Sequence, residues 1–393
     1  GLVPPIGLGM ASHSRGLSGR EGKLLTALRP DHLRVDLRLA DAAYADELSR
    51  AVADARPLGC GLELALHLTN DAENELNDLA ARLADSPRID RVLVFHESEL
   101  ATDPRWVDLT RARLREVAPE ALFAGGTNAN FCELNRFRPA GAAEDGIVYS
   151  INPQIHAFDE LSLAENIAGQ AETVRTALAY GGGRPVVVSP VTLKQRFNAV
   201  ATSDQAELAP GELPPQVDPR QMSLFAAGWT VGSLRGLIES GADAVTYYET
   251  TGRRGVIQGD EPPAAPERFP SRAGMVFPLY HVFADLAEWK DGEIVPSQSS
   301  NPLAIETLAL IGDGTRHLLV ANLTPDPQAV VIDHFTNRDV EMRRLNAETV
   351  ETAAADPARF RSRMEPLTTE GALELTLAPF EVVRLDAPGS AAR

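Results

Sequence analysis

Cysteine is almost missing from this sequence: Cys60 and Cys132 are the only two in 393 residues. One bridge is the most they permit, so no disulfide framework is expected and a reducing, cytosolic compartment is the simpler reading. No apolar run reaches the ~18–20 residues needed to cross a bilayer, and no signal peptide opens the chain, so a membrane partner is not expected. Positive charge is also scarce. Lys+Arg number 37 against 55 Asp+Glu, a net charge of −18. Such a field repels phosphate backbones, which argues against nucleic acid as a partner.

Metal and nucleotide signatures are missing too. There is no H-x-H, H-E-x-x-H or C-x-x-C, although His13, His67, His96 and His156 all fall near strand ends. No metal and no other cofactor is expected. "GLGMAS" from Gly7 fails as a dinucleotide turn because Ser12 stands where G-x-G-x-x-G needs its last glycine. Cys132 has no evident activating base, so it reads as a small hydrophobe before it reads as a nucleophile.

What the sequence does contain is repetition. Eight short apolar runs begin near Pro4, His32, Gly61, Arg91, Ala121, Gly146, Pro185 and Asp243. Between them lie stretches such as "YADELSRAVADA" and "ENELNDLAARLAD", whose apolar residues recur every three or four positions. About eight strand–helix units predict an α/β chain folded as a (β/α)8 TIM barrel over residues 1–290. From residue 291 the helical period is lost. Runs such as "LAIETLALIG", "RHLLVANLT" and "FEVVRLDAP" predict a small C-terminal antiparallel β-sandwich over 291–393. The stretch from Asn337 to Arg363 is expected to be loop with one irregular helix, and the final "PGSAAR" a frayed tail.

In such barrels chemistry gathers where the strands end. Polar residues cluster there: Asp36 and Arg38, His67, His96 and Glu97, then Asn128, Asn130, Glu133, Asn135 and Arg136. Later strands contribute Asn152, Gln154 and His156, then Lys194, Arg196 and Asn198, and finally Tyr247, Tyr248 and Glu249. Singly, each has a plain structural reading: Asp36 with Arg38 as a buried pair, His67 as an interior histidine, one of the two tyrosines as packing. Together they are hard to explain as core, because buried polar groups need partners. Carboxamides and imidazoles match the hydroxyls of a sugar-like ligand. Glu97, Glu133 and Glu249 supply acid and base groups, while Arg136, Lys194 and Arg196 offer cations to developing negative charge.

The segments "GGTNANFCELNRFRP", "YSINPQIHAFDE", "SPVTLKQRFN", "VDPRQMSLFAAGWTVGSL", "VTYYETTGRRG" and "FPLYHVFADL" together resemble the D-apionate lactonase family, a bacterial group of apiose catabolism. The resemblance runs from about Gly125 to Leu286 and more loosely beyond. It implies a glycoside-hydrolase-like barrel and cytoplasmic hydrolysis of D-apionolactone to D-apionate. The family also carries an N-terminal β-rich domain absent from this chain, so a fragment is expected. On this reading Glu249 is the general base, and Glu133 the acid or an orienting partner. His156 lies near the oxyanion with Arg196 or Lys194, and Asn128, Asn130, Asn135 and Asn152 hold hydroxyls. Arg136, Gln154, Tyr248, Asp36 and His67 complete the expected binding surface, with Glu97 as a further catalytic candidate. The partner is a small sugar lactone; the oligomeric state is not legible. Two alternatives stay open: a glycoside hydrolase pairing Glu249 with Glu97 or Glu133, and a non-catalytic carbohydrate-binding barrel.

Overall fold

The computed structural model describes every residue except 85, 139–144, 198–207, 210, 264, 334, 336–338, 370 and 389–393. Asn198 and the tail after Pro388 therefore lie outside the described residues. Eight parallel strands form in the expected order: β1 (Ile6–Gly9), β2 (His32–Arg38), β3 (Gly61–Leu68), β4 (Ile89–His96), β5 (Leu122–Asn130), β6 (Gly146–Ile151), β7 (Val186–Val191) and β8 (Ala244–Thr251). Each pairs with the next, and β1 pairs with β8, closing the barrel. A short strand β9 (Gly255–Ile257) adds to β8. The outer helices are α1 (Gly19–Thr26), α2 (Tyr44–Leu58), α3 (Ala72–Arg82), α4 (Pro104–Leu114), α5 (Phe131–Arg136), α6 (Glu160–Gly181), α7 (Leu224–Glu239) and α8 (Pro278–Glu288).

Strand alternation decides what faces inward. On β2, Leu33, Val35 and Leu37 join the core under the helices, so His32, Arg34 and Asp36 face the barrel interior. The same parity puts Glu63 and His67 of β3 inside. Part of the interior is apolar, built from Ala65, Leu93, Phe95, Ala124, Val148, Val187 and Ala244. The rest is a polar column. Arg91 donates to Glu63 at 2.6 Å, Thr246 donates to Glu63 at 2.8 Å, and His32 meets Thr246 at 2.7 Å. Ser189 also donates to Glu63, and Arg34 donates to the Ser189 carbonyl at 2.6 Å. Burying Glu63 is tolerable only because both of its carboxylate oxygens find such partners. Burial pushes the His32 imidazole down to about 3, so it sits neutral beside Arg91.

Helix α7 is buried almost all round. A helix that reads apolar on every face must be enclosed, and α7 lies between the barrel and the C-terminal domain. An added Cβ at Gly228 would lie 3.0 Å from Leu323, and Arg235 pairs with Glu306 at 2.9 Å. The C-terminal domain contains β10 (Glu293–Val295), β11 (Ile305–Gly312), β12 (Thr315–Asn322), β13 (Gln328–Ile332), β14 (Asp339–Leu345), β15 (Glu365–Thr368), β16 (Leu373–Leu377) and β17 (Val382–Pro388). Six of these form one antiparallel sheet and β13 pairs with β16 in a second; Leu318, Val320, Leu375, Leu377 and Leu385 pack together in their shared core. Where one irregular helix was expected there are two short ones, α9 (Val350–Ala355) and α10 (Pro357–Arg361), and Asn337–Arg363 also holds strand β14. Pro357 enforces the break between the helices, since it cannot continue α9.

Candidate active site

A cavity of about 380 Å³ opens at the carboxyl ends of the barrel strands. Asp36, His67, Asn128, Lys194, Arg196, Tyr248 and Glu249 line it, drawn from strands β2, β3, β5 and β8 and the loop after β7.

Glu249 owes its position to a fault in β8. Leu8 of β1 pairs with Tyr247, but Gly9 pairs with Glu249, so Tyr248 is bulged out between them. Tyr248 takes φ +43°, a left-handed conformation costly for a bulky residue. Both tyrosines therefore point to α7: Tyr247 bonds Ser233 at 2.8 Å and Tyr248 bonds Thr230 at 2.9 Å. Tyr248 thus meets the cavity without offering its hydroxyl, which is spent on α7. After the bulge, the Glu249 carboxylate is free to turn inward. Gly9 makes this possible, because a Cβ there would lie 2.6 Å from the Tyr248 carbonyl.

One Glu249 oxygen pairs with Arg254 at 2.6 Å and the other accepts the Ser12 N–H at 3.0 Å. The chain returns for this contact through a tight loop: Glu249 N–H donates to the Arg254 carbonyl at 3.0 Å, and Gln221 pins the Gly255 carbonyl at 2.9 Å. Only glycine fits at 255, where a Cβ would sit 2.6 Å from Thr251 backbone. Burial pushes the Glu249 carboxyl above its ordinary value, and Arg254 and the Ser12 amide offset part of that rise.

A second cluster centres on Asp36. Arg34 donates to it at 2.8 and 3.1 Å, His67 Nε2 lies 3.2 Å away, and Arg196 at 3.3 Å. Asn128 joins through its carboxamide oxygen, which accepts from Arg34 at 3.0 Å and from Arg196. Burial works to raise the Asp36 carboxyl, but Arg34 and Arg196 outweigh it and hold it well below the carboxylate range. The group lies deep in the molecule yet keeps 38% of its side chain open to the cavity, so it meets ligand or water directly. Burial, then the neighbouring Arg34, lowers Arg196 to about 10, still cationic at neutral pH. Lys194 lines the same cavity, and its ammonium has no hydrogen-bond or ion-pair partner among the described residues.

The cavity lining carries six cationic side chains against five carboxylates, although the whole chain is strongly acidic. Cations have been concentrated here.

Other expectations fell elsewhere. Asp36 pairs with Arg34, not with Arg38, which reaches Glu97 at 3.0 Å. Glu97 lines a neighbouring cavity rather than the one holding Glu249. Glu133, Asn135 and Arg136 do not line the main cavity. Strand β5 runs on to Asn130 and turns at once into α5, which packs against β5 and β6 and carries these three away. Asn135 instead accepts from Arg138 at 2.9 Å. His156 is exposed and also outside the cavity lining. Asn130 and Asn152 bond each other at 2.8 Å beside the cavity. Gln154 is sealed: it donates to the Leu193 carbonyl and to Asp218, both at 2.5 Å, and accepts from Arg220 at 2.8 Å.

The charged and polar residues missed by sequence reading include Arg34, Asp41, Glu47, Arg50, Asp218, Gln221 and Arg254. Arg34 had a signal, the inward R-x-D-x-R alternation of β2. Asp218 and Gln221 had none, since they reach the cavity from the far end of the loop between β7 and α7.

A family model described as the D-apionate lactonase TIM barrel domain matches residues 6–291, and one described as its C-terminal immunoglobulin-like domain matches residues 302–385. The D-apionate lactonase of Brucella anthropi is 28% identical over 257 residues, which is 64% of this chain and 39% of that protein. The chain thus aligns with well under half the length of this curated relative. Among solved structures, an α-L-arabinofuranosidase from Thermotoga maritima superposes with TM-score 0.63 at 11% identity, covering 98% of each chain. An endoxylanase from Clostridium papyrosolvens gives TM-score 0.58 at 9% identity, covering 99% of this chain and 97% of the other. At such identities these two share the fold alone. With a family model matched across the whole barrel, the chain belongs to the D-apionate lactonase family.

Proposed function

We propose that this protein hydrolyses a sugar lactone, D-apionolactone to D-apionate, with Glu249 as the proton-transfer group. The observation that carries the reading is the Glu249 carboxylate: raised by desolvation, as a better base than a free glutamate needs, paired with Arg254, which favours its charged form, and facing a cavity rich in cations. Family membership supports the reaction class.

The steps balance within the cavity. Glu249 takes a proton from water, whose oxygen forms a bond to the lactone carbonyl carbon. The tetrahedral oxyanion is stabilised by Arg196, already held in place by Asp36 and Asn128 when the charge develops, and by the Lys194 ammonium, unpartnered among the described residues. Collapse breaks the ring C–O bond, and protonated Glu249 returns its proton to the departing ring oxygen. The new carboxylic acid loses its own proton to solvent, so each turnover releases one. Asp36, His67 and Asn128 provide acceptors and donors for the ring hydroxyls. The carboxylate product then lies among cations, which suits an acyl end that is neutral before reaction and anionic after it.

Cytoplasmic location belongs to the same proposal. Both cysteines are unpaired, and no helix among the described residues is long and apolar enough to cross a membrane. The test is product analysis by NMR with a panel of aldonolactones against a no-enzyme blank. The expected outcome is opening of D-apionolactone well above the blank. Equal rates with and without protein for every lactone would overturn it.

A further inference from the structure

Beside the main cavity lies a second one of about 230 Å³, which the mechanism above does not use. The ~10–15 Å³ that admits one water is far exceeded, so it is no packing gap. It exists because β4 and β5 part company: their ladder ends at Val94–Gly125, and β5 leaves register with β6 between Gly126 and Asn130. The carbonyls freed by the splay are recaptured. Thr102 donates its hydroxyl to the Val94 carbonyl at 2.5 Å and its N–H to the Gly126 carbonyl at 2.8 Å. The opening is therefore a maintained feature of the fold.

Its lining differs in kind from that of the main cavity. Glu97 and Glu99 are its carboxylates and Arg38 its one arginine, while Phe95, Leu100 and Phe197 give apolar walls. His96 also lines it. Its ring stacks on Trp106 with centroids 4.6 Å apart and accepts the Ser98 N–H at Nδ1, 3.3 Å, so it contributes a wall. Arg38, His67, Asn128 and Phe197 line both cavities, so one ligand can occupy the two together.

We propose that the second cavity is a subsite for a neutral sugar ring attached to the lactone, so that the enzyme accepts glycosylated sugar lactones. The inference rests on the lactonase reading and extends it. Carboxylates suit hydroxyls, apolar walls suit the C–H face of a pyranose or furanose, and an acidic lining turns away a carboxylate. The main cavity has the opposite bias. Together they fix the direction of the ligand, acyl end among the cations and sugar ring beside Glu97 and Glu99.

The test uses two products as probes, gluconate and its glucosylated form cellobionate, titrated calorimetrically into the wild-type protein. The subsite predicts that cellobionate binds roughly tenfold tighter, about 1.4 kcal/mol. Ala101→Trp, which fills the second cavity from its outer wall, should bring the affinity ratio near one, and Leu100→Trp provides an independent block. Equal affinities in the wild type, or a preference that survives both blocks, would overturn the subsite. Lactone opening is measured separately. A protein that prefers cellobionate yet opens no lactone, plain or glycosylated, contradicts the lactonase reading and leaves the subsite standing.

Discussion

The carboxylate of Glu249 stands 2.6 Å from the guanidinium of Arg254, held there by a loop that turns back through Gly255. Burial and this cation act in opposite directions on the same proton. Because burial is the larger influence, the carboxyl is raised, and the acid limb of kcat/KM should lie above the ~4.3 of a free glutamate. Arg254→Met removes a group that favours the charged form, so the limb should move to higher pH. A pH–rate profile decides this. A limb that stays put or moves down in Arg254→Met would mean that another group carries the proton.

Lys194 and Arg196 should act in the transition state. Lys194→Met and Arg196→Met are each expected to lose ~10²–10³ in kcat, with a smaller change in KM. Steady-state kinetics separates the two, and a loss confined to KM would make them binding groups only.

Glu133→Gln and His156→Ala should keep wild-type kcat/KM, because neither side chain lines the cavity. Parallel assays with Glu249→Gln provide the contrast. A deep loss in either one would return the catalytic centre to the loop after β5 or β6.

The polar column of the barrel has its own signature. Glu63 is wholly buried against Arg91, and Glu63→Gln should cost roughly 3–5 kcal/mol by leaving that arginine uncompensated. Adding Arg91→Met should recover part of the loss. Urea denaturation measures both, and additive losses would argue against a shared pair.

The two domains meet through a comparable cluster. Asp285 of α8 receives Arg343 at 2.5 Å, Arg361 at 2.9 Å and Arg384 at 2.7 Å. Burial opposes its ionisation, but the three guanidiniums hold it well below the usual range. A depressed carboxyl contributes stability above its unfolded value of ~3.9 that is lost as pH falls through the folded value.

The barrel was legible because its strands carry period-two alternation and its helices a three-to-four period, and both signals are local. The same alternation placed Asp36 and His67 on the inner face. It could not tell which arginine Asp36 would choose, since Arg34 and Arg38 lie at equal distance along β2 and only depth in the barrel separates them. Glu133 was misplaced because nothing local announced that β5 would pass straight into a helix. Arg254 and Asp218 were missed for different reasons: Arg254 is brought to Glu249 by the tight return between β8 and β9, which strand alternation does not announce, and Asp218 reaches the cavity from the far end of a long loop. The bulge at Tyr248 is of the same kind. Alternation read straight through β8 puts Glu249 on the face of Tyr247; the extra residue turns it inward.

The most direct test is a proton-release assay on D-apionolactone at neutral pH, comparing wild-type protein, Glu249→Gln and a protein-free blank. The account predicts one proton per lactone opened by the wild type, and a rate for folded Glu249→Gln lower by ~10²–10⁴. A folded Glu249→Gln protein that opens the lactone at the wild-type rate would contradict it.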